Sequence, residues 1–156
     1  MKKTGVSAAL AAASAILTLG ALATPACADS SQSSGIVVSG MVVHRAGDGT
    51  VPPAELGNPK EWGEVTLTIT DIKAQGAMKP MTITNVGGGT WSYGWEARDN
   101  FKYCYSNYYH GSVAHGSSVK MAGTTAASGW VAAGDYSNAH YSAGFAYTCS
   151  TYWTKY

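Results

Sequence analysis

Apolar and polar residues alternate most clearly in the middle of the N-terminal half. Val65, Leu67 and Ile69 are separated by single threonines. A period of two points alternate side chains to opposite faces of a β-strand, so this stretch predicts a strand with one apolar face. Short β-branched runs predict further strands at 36–38, 41–43 and 81–84.

Aromatic residues repeat with the same period in the C-terminal half. The three groups are Trp91, Tyr93 and Trp95; Phe101, Tyr103 and Tyr105; and Phe145, Tyr147 and Cys149. Because Gly, Ser and Asn interrupt them, they predict several short antiparallel strands. The Ala-rich stretch 126–133 is the best helix candidate, and 135–138 carries a turn signal. The patterns predict an all-β protein, a small antiparallel β-sandwich or barrel.

The start of the chain has the order of a secretory signal peptide. A positive start at 1–3 precedes an uncharged apolar run at about 8–23, and small residues follow at Ala26 and Ala28. We expect cleavage after Ala28, so that residues 1–28 are removed and the protein is secreted. The alternative is an uncleaved membrane anchor, because the run is near the length needed to span a bilayer.

The charge balance limits the possible partners of the protein, and the cysteine count predicts how it is cross-linked. Only 12% of the residues are charged. After loss of the leader, eight basic face nine acidic residues, so we expect no nucleic-acid partner. Cys27 leaves with the leader, and Cys104 with Cys149 predicts one disulfide in an exported protein. Its long loop would contribute about 4 kcal/mol to stability. The alternative is a pair of buried free thiols.

The composition changes at the glycine run 87–89. All ten tyrosines and four of the five tryptophans follow it, whereas all five prolines precede it. We therefore divide the chain into a signal peptide at 1–28, a β-rich segment at 29–85 and a C-terminal domain at 86–156. The middle segment is either an N-terminal extension of the mature protein or a pro-segment, and the sequence leaves both open.

Residues suited to metal binding are sparse. His110, His115 and His140 could in principle form a zinc site, but their spacing matches no zinc motif and no cysteine is spare. We expect no metal and no cofactor.

Catalytic residues are equally sparse. The acidic residues of the C-terminal domain are Glu96, Asp99 and Asp135, a thin supply for paired-carboxylate chemistry. No G-x-S-x-G nucleophile elbow is present. We expect the protein not to be an enzyme.

The densest aromatic run is Tyr103–Gly111. It is interpreted either as packing around the disulfide or as an exposed platform for sugar rings or a membrane interface, because Tyr and Trp combine an apolar ring with a polar tip. Alternation allows both, since one face of a strand can be core and the other outward. The candidate target-binding residues are Trp91, Trp95, Tyr105, Tyr108, Tyr109 and His110.

The C-terminal domain also carries a recognisable set of short motifs. They are Gly89-Thr90-Trp91 followed by Gly94, the run Tyr105-Ser106-Asn107-Tyr108-Tyr109-His110-Gly111-Ser112 with His115 and Ser117 behind it, Gly129-Trp130-Val131-Ala132, and Tyr152-Trp153. With these motifs, residues 86–156 resemble the lactococcin 972 family of bacteriocins.

The resemblance implies an unmodified, secreted antibacterial protein with a small antiparallel β-sandwich. It implies binding to lipid II or another wall precursor and blocked septum formation in related Gram-positive bacteria. A dedicated immunity protein or transporter in the producer would accompany it, and a homodimer is left open. The alternative function is a secreted, non-killing carbohydrate- or surface-binding β module, and a secreted hydrolase is a third.

Overall fold

The computed structural model of the chain describes residues 36–69 and 81–156; the predicted leader 1–28 lies outside them. Ten strands account for most of these residues, and a single 3-10 turn at Ala54–Leu56 is the helical element found in them. This confirms the all-β prediction. The strands are β1 Ile36–Val38, β2 Val42–Arg45, β3 Glu61–Ile69, β4 Thr82–Val86, β5 Gly89–Arg98, β6 Phe101–Tyr109, β7 His115–Met121, β8 Thr124–Ala127, β9 Tyr136–Ala143 and β10 Cys149–Lys155.

The strands form two antiparallel sheets that pack face to face as a sandwich. Sheet A has the order β1-β3-β10-β7-β8, and β2 also pairs with β3. Sheet B has the order β4-β5-β6-β9. No helix of the described residues is long and apolar enough to cross a membrane.

The core between the sheets is built on tryptophan and on a disulfide. Trp91 and Trp95 from sheet B and Trp153 from sheet A are fully buried. Cys104 of β6 is bonded to Cys149 of β10, with Cα atoms 5.9 Å apart, so the disulfide joins the two sheets. The predicted pairing is confirmed.

Strand β3 confirms the strand predicted from the Val-Thr alternation. Its inward residues Val65 and Leu67 are 0% and 1% exposed and belong to the main core. On the other face of sheet A, Trp62 packs with Leu56 and Tyr152 in a second small core. The N-terminal half thus contributes to both faces of this sheet.

Three local predictions are wrong. The Ala-rich stretch 126–133 is not helical: its start belongs to β8, whose ladder with β7 outweighs the helix propensity of alanine. The alternation at 145–147 is not a strand, because the chain turns there and the Tyr147 N–H donates to the Gly144 carbonyl. The turn signal at 135–138 is displaced, since β9 already begins at Tyr136.

The glycine run 87–89 forms the turn of the β4–β5 hairpin. Gly87 and Gly88 have φ of 60° and 86°, the left-handed region that a tight two-residue hairpin turn requires. A Cβ on Gly87 would lie 2.6 Å from the ring of Trp153. This turn needs glycine both for its backbone conformation and for the indole packed beneath it.

Candidate functional site

The outward face of sheet B carries a set of aromatic and amide side chains, which we call the tyrosine face. It arises because β6 alternates: Cys104, Ser106 and Tyr108 point into the core, so their neighbours point out. Strand β9 pairs with β6 over eight residues and extends the face. Its members are Tyr103, Tyr105, Asn107, Tyr109, Tyr136, Asn138 and His140.

The register arranges these side chains in rows. Tyr109 lies opposite Tyr136, with ring centroids 4.9 Å apart. In the next outward row Asn107 lies opposite Asn138, both accessible to solvent. At the far end, His140 stacks on Tyr103 with centroids 5.1 Å apart. A row of amides therefore lies between two aromatic pairs.

A groove of about 240 Å³ opens on this face above β5. Gly94 pairs with Tyr105 and has no side chain, so Ser92 and Glu96 stand apart on either side of it. The residues lining the groove are Met81, Ser92, Glu96, Arg98, Tyr103, Tyr105 and Asn107.

The charges on this face cancel locally. Arg98 and Glu96 form an ion pair, and the Arg98 guanidinium lies 3.7 Å from the centroid of the Tyr103 ring. Burial, followed by the nearby Glu96 carboxylate, raises the pKa of Tyr105. Like an ordinary tyrosine, it is protonated at neutral pH, so its phenol can donate a hydrogen bond.

The arrangement suits noncovalent binding of a neutral, polar ring. The rings offer stacking surfaces, and the amides of Asn107 and Asn138 offer both donors and acceptors. His140 is exposed on this face whereas His110 and His115 are buried elsewhere, so the three histidines do not converge. Across 36–69 and 81–156, no group of three or more His, Cys, Asp or Glu could hold a metal ion.

The structure corrects three of the six candidate target-binding residues. Trp91, Trp95 and Tyr108 are each 0% exposed, because their side chains fill the space between the sheets. The Trp91 indole N–H donates to Ser106 Oγ at 2.9 Å. The Tyr108 hydroxyl donates to the Val86 carbonyl at 2.9 Å, and burial raises the pKa of Tyr108. Their role is packing.

His110 is also corrected, since it is only 5% exposed and closes one end of the core. Its Nδ1 accepts from the N–H groups of Ser112 and Val113, both at 3.2 Å. Its Nε2 therefore carries the proton and donates to the Gly87 carbonyl at 3.1 Å. This imidazole holds the following loop to the β4–β5 hairpin.

Two of the six candidates, Tyr105 and Tyr109, lie on the outward face, where Tyr105 is only 9% exposed and Tyr109 is half-buried. The other five members were not among the sequence-predicted candidates: Tyr103, Asn107, Tyr136, Asn138 and His140. The alternation of β6 contained the signal for Tyr103, because it shares a face with Tyr105. Nothing local pointed to the residues of β9, since their neighbours follow from long-range pairing.

Comparison with known proteins gives one match. No curated protein and no solved structure matches the chain. The segment that does match a family model runs from the β4–β5 turn into β10 and carries all seven members of the tyrosine face. Residues 87–153 match the family model described as Bacteriocin (Lactococcin_972), which confirms the resemblance over this segment and supports a bacteriocin role in general terms.

Proposed function

We propose that this protein is a secreted bacteriocin that binds lipid II at the surface of related Gram-positive cells and so blocks septum and wall synthesis. The family match supports the bacteriocin role and suggests export. In this proposal binding is noncovalent and the protein catalyses no reaction. A dedicated immunity protein or transporter protects the producer, which makes the same wall precursor.

The observation that carries the proposal is the tyrosine face with its amide row. Lipid II presents sugar rings, peptide amides and a pyrophosphate. Tyr109 and Tyr136 offer exposed ring surface for a sugar, and Asn107 with Asn138 offers hydrogen bonds to its hydroxyl and amide groups. Because the charges of Glu96 and Arg98 cancel, the face favours the sugar and peptide portions over the pyrophosphate.

Replacement of single outward rings tests this assignment. Tyr109→Ala and Tyr136→Ala remove rings from the face without opening the core, so each variant keeps a near-normal thermal midpoint. We expect growth-inhibiting potency to fall roughly ten- to hundredfold, by analogy with stacking losses of about 1–3 kcal/mol per nucleobase. Tyr147→Ala is the matched control, because Tyr147 is 52% exposed but lies outside the face.

Competition with the purified precursor tests the target. Added lipid II should protect dividing sensitive cells from the wild-type protein, and it should bind the Tyr109→Ala variant less tightly in calorimetry. Unchanged potency in both face variants would exclude the tyrosine face as the binding site. Killing that lipid II does not relieve would leave the bacteriocin role in place and refute this target.

The alternative is a secreted carbohydrate- or surface-binding module that does not kill. The same exposed rings and amides would serve it. A spot test on related Gram-positive cells separates the two functions, because only a bacteriocin leaves a zone of clearing.

A further inference from the structure

The family segment 87–153 accounts for only part of the sandwich. It contains β5 to β9 and most of β10, which leaves β10 at the edge of sheet A. In the whole chain that edge is occupied by β3, which pairs with β10 from Glu61–Lys155 to Leu67–Cys149. An unpaired edge strand exposes a row of backbone N–H and C=O groups. Pairing with β3 therefore satisfies the backbone groups of β10 that the family segment alone would leave exposed.

The inward face of β3 is fitted to the core of the family segment. Gly63 lies opposite Trp153, and a Cβ at this glycine would be 2.2 Å from the indole nitrogen. Val65 and Leu67 follow on the same face, and the Thr151 hydroxyl donates to the Val65 carbonyl at 3.1 Å. The strand therefore leaves room for the indole and fills the space beside it.

The outward face of the same region is fixed independently. Trp62 and Leu56 cover Tyr152, which would otherwise be an outward aromatic residue of β10. The Tyr152 hydroxyl donates to Glu64 Oε1 at 3.1 Å on the same outward face. Residues on both faces of β3 therefore contact β10, through Gly63 and Val65 on the inward face and through Trp62 on the outward face.

We infer that residues 36–69 are a permanent part of the working protein: they donate the strand that completes the bacteriocin segment, and maturation ends at removal of the leader. Loss of everything up to residue 85 would uncover β10 and Trp153 and would also remove nearly all of β4 from its pairing with β5. Residues 29–85 are thus not a discarded pro-segment.

Cleavage of the full chain between β3 and β4 tests the inference. A specific protease site inserted after Gln75 allows the folded protein to be cut once. The disulfide lies wholly in the C-terminal piece, so no covalent bond links the two products. We expect the pieces to co-elute in size exclusion and to separate only in denaturant. A C-terminal piece that elutes alone with the near-ultraviolet circular dichroism of the intact protein would overturn the inference.

A substitution in the uncut chain gives a second readout. Gly63→Ala should lower the thermal midpoint by roughly 5–15 °C, because the added Cβ overlaps a buried indole. Gly40→Ala is the control, since nothing lies within 4 Å of its added Cβ and its φ is not positive. Equal midpoints for both variants, or a folded exported protein whose sequence begins near Val86, would show that β3 is dispensable.

Discussion

Lys102 is a lysine in the core of a small protein, and its titration gives a quantitative test of the packing. It lies on the inward face of β6 and is 0% exposed. Its Nζ donates to the Tyr147 carbonyl and lies 5.8 Å from the Trp95 ring centroid. Burial disfavours the charged ammonium and lowers the pKa of Lys102 from 10.5 to about 8.

The two pKa values of Lys102, folded and unfolded, determine whether the free energy of unfolding rises or falls with pH. The unfolded chain holds the Lys102 proton up to pH 10.5, whereas the folded protein releases it near pH 8. Between these values the unfolded state binds more protons, so the free energy of unfolding rises with pH. Below pH 8 Lys102 is charged in both the folded and the unfolded state, so the full cost of burying its ammonium group lowers the free energy of unfolding. From pH 7 to pH 9.5 the calculated rise is about 2 kcal/mol.

Urea unfolding followed by tryptophan fluorescence at these two pH values measures the rise. Lys102→Met keeps an unbranched side chain, one heavy atom shorter, and removes the titrating group, so its free energy of unfolding should change little over the same range. Lys120→Met is the control, because Lys120 is 48% exposed and its replacement should leave the rise intact. A wild-type free energy that is flat from pH 7 to pH 9.5, or a rise that persists in Lys102→Met, would refute the reasoning.

Two further predictions concern the disulfide and the second small core around Tyr152. Replacing both Cys104 and Cys149 by Ala should lower the free energy of unfolding by about 4 kcal/mol, given a sequence separation of 45 residues; a loss below about 1 kcal/mol in urea unfolding would contradict this. Burial, with the Glu64 carboxylate, raises the pKa of Tyr152 to about 12. The free energy of unfolding should therefore fall between pH 10 and pH 12, because the folded state holds the phenol proton more tightly. The free energy of Tyr152→Phe should fall less steeply in the same unfolding series. Parallel curves for the variant and the wild type would exclude this phenol as a cause.

Much of the architecture was predictable from local pattern. The alternation at Val65, Leu67 and Ile69 predicted β3, and the aromatic alternation after the glycine run predicted β5 and β6. The cysteine count after removal of the predicted leader gave the disulfide between Cys104 and Cys149. These inferences hold because side-chain direction in a strand and the pairing of two cysteines need no knowledge of distant neighbours.

Local pattern failed where pairing partners outweighed it. The alanines at 126–127 became part of β8 because the backbone groups of β7 were available to them, and no helix formed. The aromatic residues at 145 and 147 fell in a turn, because β9 ends at Ala143 and β10 begins at Cys149. Such boundaries depend on where a neighbouring strand ends, which the segment itself does not encode.

The candidate site shows most clearly which features a local pattern predicts and which depend on tertiary packing. A period of two establishes that Tyr108 and Tyr109 point to opposite sides of β6, but it is symmetric and does not say which side is the core. That choice was made by sheet A, whose Trp153 packs against the Tyr108 ring at 5.2 Å between centroids. Tyr109 was left outward to meet Tyr136, a residue 27 positions away in the chain. The sequence by itself determined the strands and the two faces of each, and only the packing of one sheet on the other decided which face is free to bind.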